Sequence, residues 1–160
     1  MNLRNILIEL ANIIYRDIQA VQCAVDERKG IRMNIACNNG DFELYSKQDI
    51  EKLLRKSSLN PYDDIWISGE KDYPCLAILI NGAYACVHYF LNEDGDMWQS
   101  IGDCEQDILF STNGEEPAAM PGDCVISLEK AIQCAVSFFY TVQRPACIAW
   151  RELWACRMRK

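Results

Sequence analysis

The chain has 160 residues, of which 50% are hydrophobic and 24% are charged. This length and apolar fraction predict one domain over residues 1–160 with its own hydrophobic core, and they exclude an intrinsically disordered protein. The net charge of −7 is unevenly placed, because eleven Asp and Glu residues and no Lys or Arg lie between Lys71 and Lys130. The rest of the chain holds 16 basic and 12 acidic residues, a net charge of +4. Since phosphates need Lys and Arg, the acidic segment disfavours direct nucleic-acid binding and favours a basic protein partner.

Three features of the sequence predict a cytoplasmic protein. The first residues include Glu9 and Asp17 within their apolar pattern, unlike a secretory signal. The nine cysteines form no CxxC pair, which fits reduced thiols in a reducing compartment. Residues 74–91 are uncharged over a length that could cross a membrane, but Asn81-Gly82 at their centre predicts two buried strands joined by a hairpin turn. We therefore expect no membrane partner.

Three helices are predicted from apolar spacing and capping residues. Apolar side chains recur at three- and four-residue steps from Leu3 to Val25, which predicts an amphipathic N-terminal helix that covers a sheet. Ser46 is placed to cap a short helix that ends before Asn60-Pro61. Ser127 begins the clearest helix of the chain, and Arg144-Pro145 ends it.

Strands are predicted where apolar runs lie between turn residues. These are Ile31–Cys37, Phe42–Tyr45, Asp64–Ser68, Cys75–Ile80, Ala83–Leu91, Met97–Ile101, Ile108–Ser111 and Cys147–Trp150. The pattern favours an α+β fold, with an antiparallel sheet of about five to seven strands and the N-terminal helix and the C-terminal-half helix packed on it. Trp66 and Trp150 lie within strand patterns and are expected in the core.

One pair of residues could carry nucleophilic chemistry. His88 is the only histidine and follows Cys86 by two residues, so a strand would place both side chains on one face. A structural role is favoured, because the strand is apolar and no third residue is evident that would orient a Cys-His pair. A small enzyme or ligand-binding protein that uses Cys86 and His88 remains the alternative.

Sequence patterns for metals and cofactors are missing. The cysteines lack the paired spacing of a zinc site. The oxygen-rich turn Asn92–Asp96 lacks the DxDxDG order of a calcium loop. No GxGxxG, P-loop or GxSxG occurs. We predict no metal, no cofactor and no catalytic residue.

Four stretches of the chain occur in one order: CLAILINGAYACVHYF, NEDGDMWQSIGD, CVISLEKAIQCAVSFFYT and QRPACIAW. Together, over residues 75–152, they resemble immunity protein family one, which is found beside polymorphic toxins and in contact-dependent growth inhibition systems. The resemblance implies a non-enzymatic antitoxin with an α+β fold that blocks the active site of a cognate toxin, typically a nuclease or a nucleic-acid deaminase. The family has TGxRP after the helix, whereas this chain has Val142 in place of the glycine.

The acidic segment supplies the candidate contacts with such a toxin. A toxin that binds nucleic acid presents a basic cleft, which the acidic segment could occupy. Trp98 borders the acidic turn and could anchor the interface. The predicted toxin-binding residues are Glu93, Asp94, Asp96, Trp98, Asp103, Glu105, Asp107, Glu115 and Glu116.

Overall fold

A computed structural model describes residues 30–59, 63–111 and 116–153 of the chain. The helix predicted from Leu3 to Val25 lies outside these residues, as does Glu115 of the predicted toxin-binding set. The described residues confirm the α+β class, with antiparallel strands and two α-helices.

The described strands form one large antiparallel sheet and one small one. The large sheet has the order β10-β6-β5-β4-β3-β1-β2, and the short β9 pairs with one end of β5. β7 and β8 form the separate two-stranded sheet. The strands are β1 Met33–Cys37, β2 Gly40–Leu44, β3 Asp63–Ser68, β4 Cys75–Asn81, β5 Tyr84–Phe90, β6 Met97–Ser100, β7 Ile108–Phe110, β8 Ala118–Met120, β9 Ile126–Ser127 and β10 Trp150–Leu153.

Two α-helices pack against one face of the large sheet. They are α1, Lys47–Ser57, and α2, Leu128–Thr141. Both N-caps predicted from the sequence are confirmed: the Ser46 hydroxyl accepts a hydrogen bond from the Asp49 backbone N–H, and Ser127 accepts one from Lys130. Each cap satisfies a backbone donor that the first helical turn leaves without a partner.

The two faces of the sheet have different coverage. Ile65, Ile67 and Tyr89 point toward the helices and share one hydrophobic core with them. The alternating residues point to the opposite face, called here the open face, where Trp66 and Phe90 stack with ring centroids 5.3 Å apart. Trp66 is 38% exposed, so its expected place in the core is wrong.

One end of the open face is covered by a second, smaller core. Leu79 and Cys86 of the sheet contact Ile108 and Phe110 of β7 in this cluster. A 3-10 turn at Gly122–Cys124 completes it. The other end of the open face, around Trp66, lies beyond this cover.

The C-terminal part of the chain differs from the sequence prediction. The final strand was expected at Cys147–Trp150, but the structure places β10 at Trp150–Leu153. The Trp150 indole N–H donates to the Pro145 carbonyl at 2.6 Å and holds the preceding residues in a loop. Pairing with β6 therefore begins only at Trp150, opposite Ser100. The strands β8 and β9 are absent from the prediction because two- and three-residue strands carry little periodic signal.

Val142 ends α2 in a left-handed conformation, with φ of 50° and ψ of 36°. Only glycine adopts this region without a steric penalty, and a β-branched residue is the least suited to it. The Val142 side chain packs against the main core. The chain thus combines a strained helix end with a side-chain contact.

We expect Val142→Gly to be more stable than Val142→Ala by about 1 kcal/mol. Both variants lose the same packing, but only alanine keeps a Cβ at positive φ. Urea unfolding of the two variants measures the difference directly. An alanine variant at least as stable as the glycine variant would show that the helix end carries no strain.

Candidate interaction surface

The structure divides the predicted acidic residues into two groups. The first is the acidic turn Asn92–Asp96, between β5 and β6. The Asn92 side chain orders it by accepting from the backbone N–H groups of Asp94 and Asp96 and by donating to the Asp96 carboxylate at 2.9 Å. Glu93 and Asp94 are exposed, whereas Asp96 is half-buried and helps to build the turn.

The second group lies in the acidic loop, Ile101–Asp107, which follows β6. Its backbone is held against the 3-10 turn, because Gly102 N–H donates to the Asp123 carbonyl at 2.8 Å and Cys104 N–H donates to the Gly122 carbonyl at 3.1 Å. Asp103, Glu105 and Asp107 are exposed along this loop. Glu116, which precedes β8, is also exposed.

The acidic groups lie at opposite ends of the central strands. The acidic turn follows Phe90, which pairs with Cys75 at the start of β4. The acidic loop leads into β7, whose Leu109 carbonyl accepts from the side chain of Asn81 at the end of β4. A seven-residue strand is roughly 23 Å long, so the two groups fall within the width of one standard protein interface.

The acidic turn and acidic loop are negatively charged, whereas the two described helices carry most of the described basic residues. Two acidic residues between Lys71 and Lys130 form ion pairs: Asp123 with Arg151, and Glu129 with Arg55. Among the described residues, the carboxylates of both acidic groups form no ion pair. Five of the nine described Lys and Arg residues lie instead in α1 and α2, namely Lys47, Lys52, Arg55, Lys56 and Lys130.

Trp98 points away from the open face. It pairs with Tyr89 in the sheet, and the two rings lie 5.8 Å apart on the helix side. The Arg144 guanidinium lies 4.6 Å from the centre of the indole ring, a cation–π contact. Trp98 is half-buried, so part of the ring remains accessible at the edge of the main core.

A cleft of about 670 Å³ lies on the open face, and the sequence prediction did not include it. Trp66 and Tyr73 line it, each 38% exposed. Its polar lining includes the carboxylates of Asp41, Glu43 and Asp72. The alternation in β3 could have indicated this, because Trp66 shares its face with Asp64 and Ser68 while Ile65 and Ile67 take the other.

Cys86 and His88 lie on one face of β5, as predicted, but their environments oppose nucleophilic chemistry. Burial raises the pKa of the Cys86 thiol far above its usual range, which suppresses the reactive thiolate. Burial also lowers the pKa of His88 to about 4. The His88 Nε2 lies 3.1 Å from the Gln99 amide nitrogen, while the Cys86 Sγ lies 3.8 Å from that of Cys124.

Residues 30–59, 63–111 and 116–153 contain neither a metal-binding cluster nor a membrane-spanning helix. No group of three or more His, Cys, Asp or Glu side chains there is arranged to hold a metal ion. No helix there has the length and apolar character needed to cross a membrane.

Comparison with known proteins decides the family. The model of the family described as Immunity protein Imm1 matches residues 39–152, which run from β2 into β10 and include both described helices. The chain belongs to the Imm1 immunity protein family. The resemblance found in the sequence is confirmed, and with it the function of an antitoxin.

The chain is also similar to one immunity protein whose toxin class is named. A double-stranded DNA deaminase immunity protein of Burkholderia cenocepacia (strain H111) is 27% identical to this Imm1 chain over 107 residues. The match covers 65% of this chain and 85% of the relative. The similarity thus extends over most of the relative's length.

Proposed function

We propose that this Imm1 protein neutralises a cognate toxin domain that acts on nucleic acid, by covering its active site with an acidic surface. The similarity to a DNA deaminase immunity protein supports a deaminase as the toxin, with a nuclease as the other class. The protein acts by binding, without catalysis, in the cytoplasm where such a toxin meets nucleic acid. Its setting is a polymorphic toxin or contact-dependent growth inhibition system.

One observation carries this proposal: the carboxylates of the acidic turn and acidic loop form no ion pair with any described residue. A nucleic-acid-binding cleft is lined with Lys and Arg, and carboxylates placed around it accelerate association and exclude the phosphate substrate. The proposed contacts are Glu93, Asp94, Asp96, Trp98, Asp103, Glu105, Asp107, Glu115 and Glu116. Asp96 would act mainly by ordering the turn, and Trp98 through the accessible part of its ring.

Charge reversal tests the acidic surface. We expect the gene immediately upstream to encode the cognate toxin, whose catalytically inactive domain serves as the binding partner. The triple variant Asp94→Lys, Asp103→Lys, Glu105→Lys should bind that domain roughly 100-fold more weakly at low salt. Its affinity should also depend less on salt than that of the wild type. Calorimetry at two ionic strengths measures both effects.

A matched control separates position from net charge. Replacing Glu51 in α1 by Lys changes the net charge by the same amount as the single variant Asp94→Lys, and Glu51 forms no ion pair in the described structure. The control variant should lose far less affinity. Equal binding by the acidic-surface variant and the wild type would remove this surface from the interface, whereas a wild type that neither binds nor protects against the toxin would refute the proposed function.

A further inference from the structure

We propose that the cleft on the open face receives an Arg- or Lys-bearing segment of the cognate toxin, with Trp66 as its anchor. This proposal rests on the proposed function and names a second part of the same interface. None of the residues that line the cleft is among the nine toxin-binding residues predicted from the sequence.

The aromatic lining gives the cleft its binding character. Trp66 is an exposed tryptophan in the middle of a sheet face, and Phe90 stacks against it with an interplanar angle of 26°. This stacking holds the indole in place before a partner arrives, so little side-chain entropy is lost on binding. A fixed aromatic ring beside carboxylates suits a guanidinium or ammonium group, which contacts the ring face and pairs with the acids.

The charges of the cleft select a cationic partner. The Glu43 carboxylate lies 3.4 Å from the guanidinium of Arg32 and accepts a hydrogen bond from the Tyr45 hydroxyl. Asp41 and Asp72 are exposed and have no ion pair among the described residues, although Lys71 adjoins Asp72 in the chain. These two carboxylates are therefore the available acceptors for a basic side chain.

A buried carboxylate next to Trp66 orients its indole ring. Asp64 is only 2% exposed and lies on the same face of β3, two residues before Trp66. Its Oδ2 accepts a hydrogen bond from the Trp66 indole N–H at 3.4 Å, while its Oδ1 has no hydrogen-bond partner. Asp64 does not itself line the cleft, so its contribution is to hold the Trp66 ring in place for a partner.

The cleft is continuous with the proposed acidic surface. Cys75, which lines the cleft, pairs with Phe90, and Phe90 leads directly to Asn92–Asp96. Adjacent strands lie about 4.8 Å apart, so the acidic turn borders the cleft. A partner seated on the acidic turn therefore reaches the cleft within one interface.

Two cleft variants test the proposal with the same upstream-encoded, catalytically inactive toxin domain. Trp66→Ala should weaken binding at least about 30-fold, as expected for an interface tryptophan. The double variant Asp41→Asn, Asp72→Asn keeps the side-chain shapes and should weaken binding about 10-fold, with a shallower salt dependence. The control Tyr140→Ala removes an aromatic side chain of similar exposure, 37%, from α2 and should stay within about twofold of the wild type.

The outcomes distinguish this inference from the proposed function. If the wild type binds and both cleft variants bind equally tightly, the inference is wrong while the antitoxin function stands. If Trp66→Ala does not fold, the asparagine variant decides alone, because it leaves the packing intact. A wild type that is dimeric by light scattering, with dimerisation but not toxin binding lost in the asparagine variant, would assign the cleft to a second copy of the chain and overturn the inference.

Discussion

Gly102→Ala is expected to destabilise the protein by about 3 kcal/mol, although it adds one methyl group. A Cβ at Gly102 would lie 1.8 Å from the Val125 carbonyl oxygen. That neighbour is backbone, so relief requires the acidic loop to move away from the 3-10 turn and to break the Gly102 to Asp123 hydrogen bond of 2.8 Å. The midpoint of urea unfolding measures the loss. Because the same contact positions Asp103 and Glu105, toxin affinity should also fall.

Gly69→Ala is the matched control for this prediction. A Cβ at the buried Gly69 would lie 3.3 Å from a methyl group of Val142, a side chain that can shift. We expect its effect to stay below about 1 kcal/mol. Equal destabilisation by both alanine variants would contradict the argument that contact with fixed backbone makes Gly102 sensitive.

Ser100→Ala should cost about 3 kcal/mol, because one hydroxyl satisfies two buried backbone groups. Ser100 is fully buried, accepts a hydrogen bond from Val87 N–H at 3.1 Å and donates one to the Cys124 carbonyl at 2.6 Å. Removal leaves both groups unpaired inside the protein. The hydroxyl also joins β5 to the segment that supports the acidic loop. Urea unfolding of the wild type and the variant measures the difference in the free energy of unfolding.

Ser68→Ala provides the comparison for Ser100. Ser68 is a half-buried strand serine for which the described structure shows no side-chain hydrogen bond. Its replacement should change the free energy of unfolding by less than about 0.5 kcal/mol. Similar losses at the two positions would show that the two hydrogen bonds of Ser100 do not set the cost.

Elements with strong local signals could be predicted from the sequence. The β4–β5 hairpin follows from two apolar runs around Asn81-Gly82. The turn itself is shifted by one residue to Gly82-Ala83, because Asn81 still pairs with Tyr84, and Gly82 takes the positive φ of +60°. The two described helices follow from their serine caps and apolar spacing. β8 could not be found this way because it has only three residues, and the start of β10 could not because its partner β6 is distant in the chain.

The proposed interaction surface follows only in part from the sequence. The acidic residues were recognisable because no Lys or Arg interrupts them, and exposed acids need no tertiary context to be noticed. The cleft at Trp66 was missed because tryptophan in a strand is more often core than surface. Its residues also come from separate segments, with Asp41 and Asp72 brought together only by the sheet.

The sequence by itself determined the fold class, the family resemblance and the sign of the charge available to a partner, because capping, periodicity and residue type are local properties. The tertiary structure alone decided which face of the sheet stays open, where Trp66 and Trp98 point, and which carboxylates remain without an ion pair. Those features depend on strand register, where a shift of one residue exchanges the two faces of a strand. The charge of the proposed binding surface can therefore be recognised in the sequence, whereas the positions of its residues in space depend on the pairing of β1 to β6.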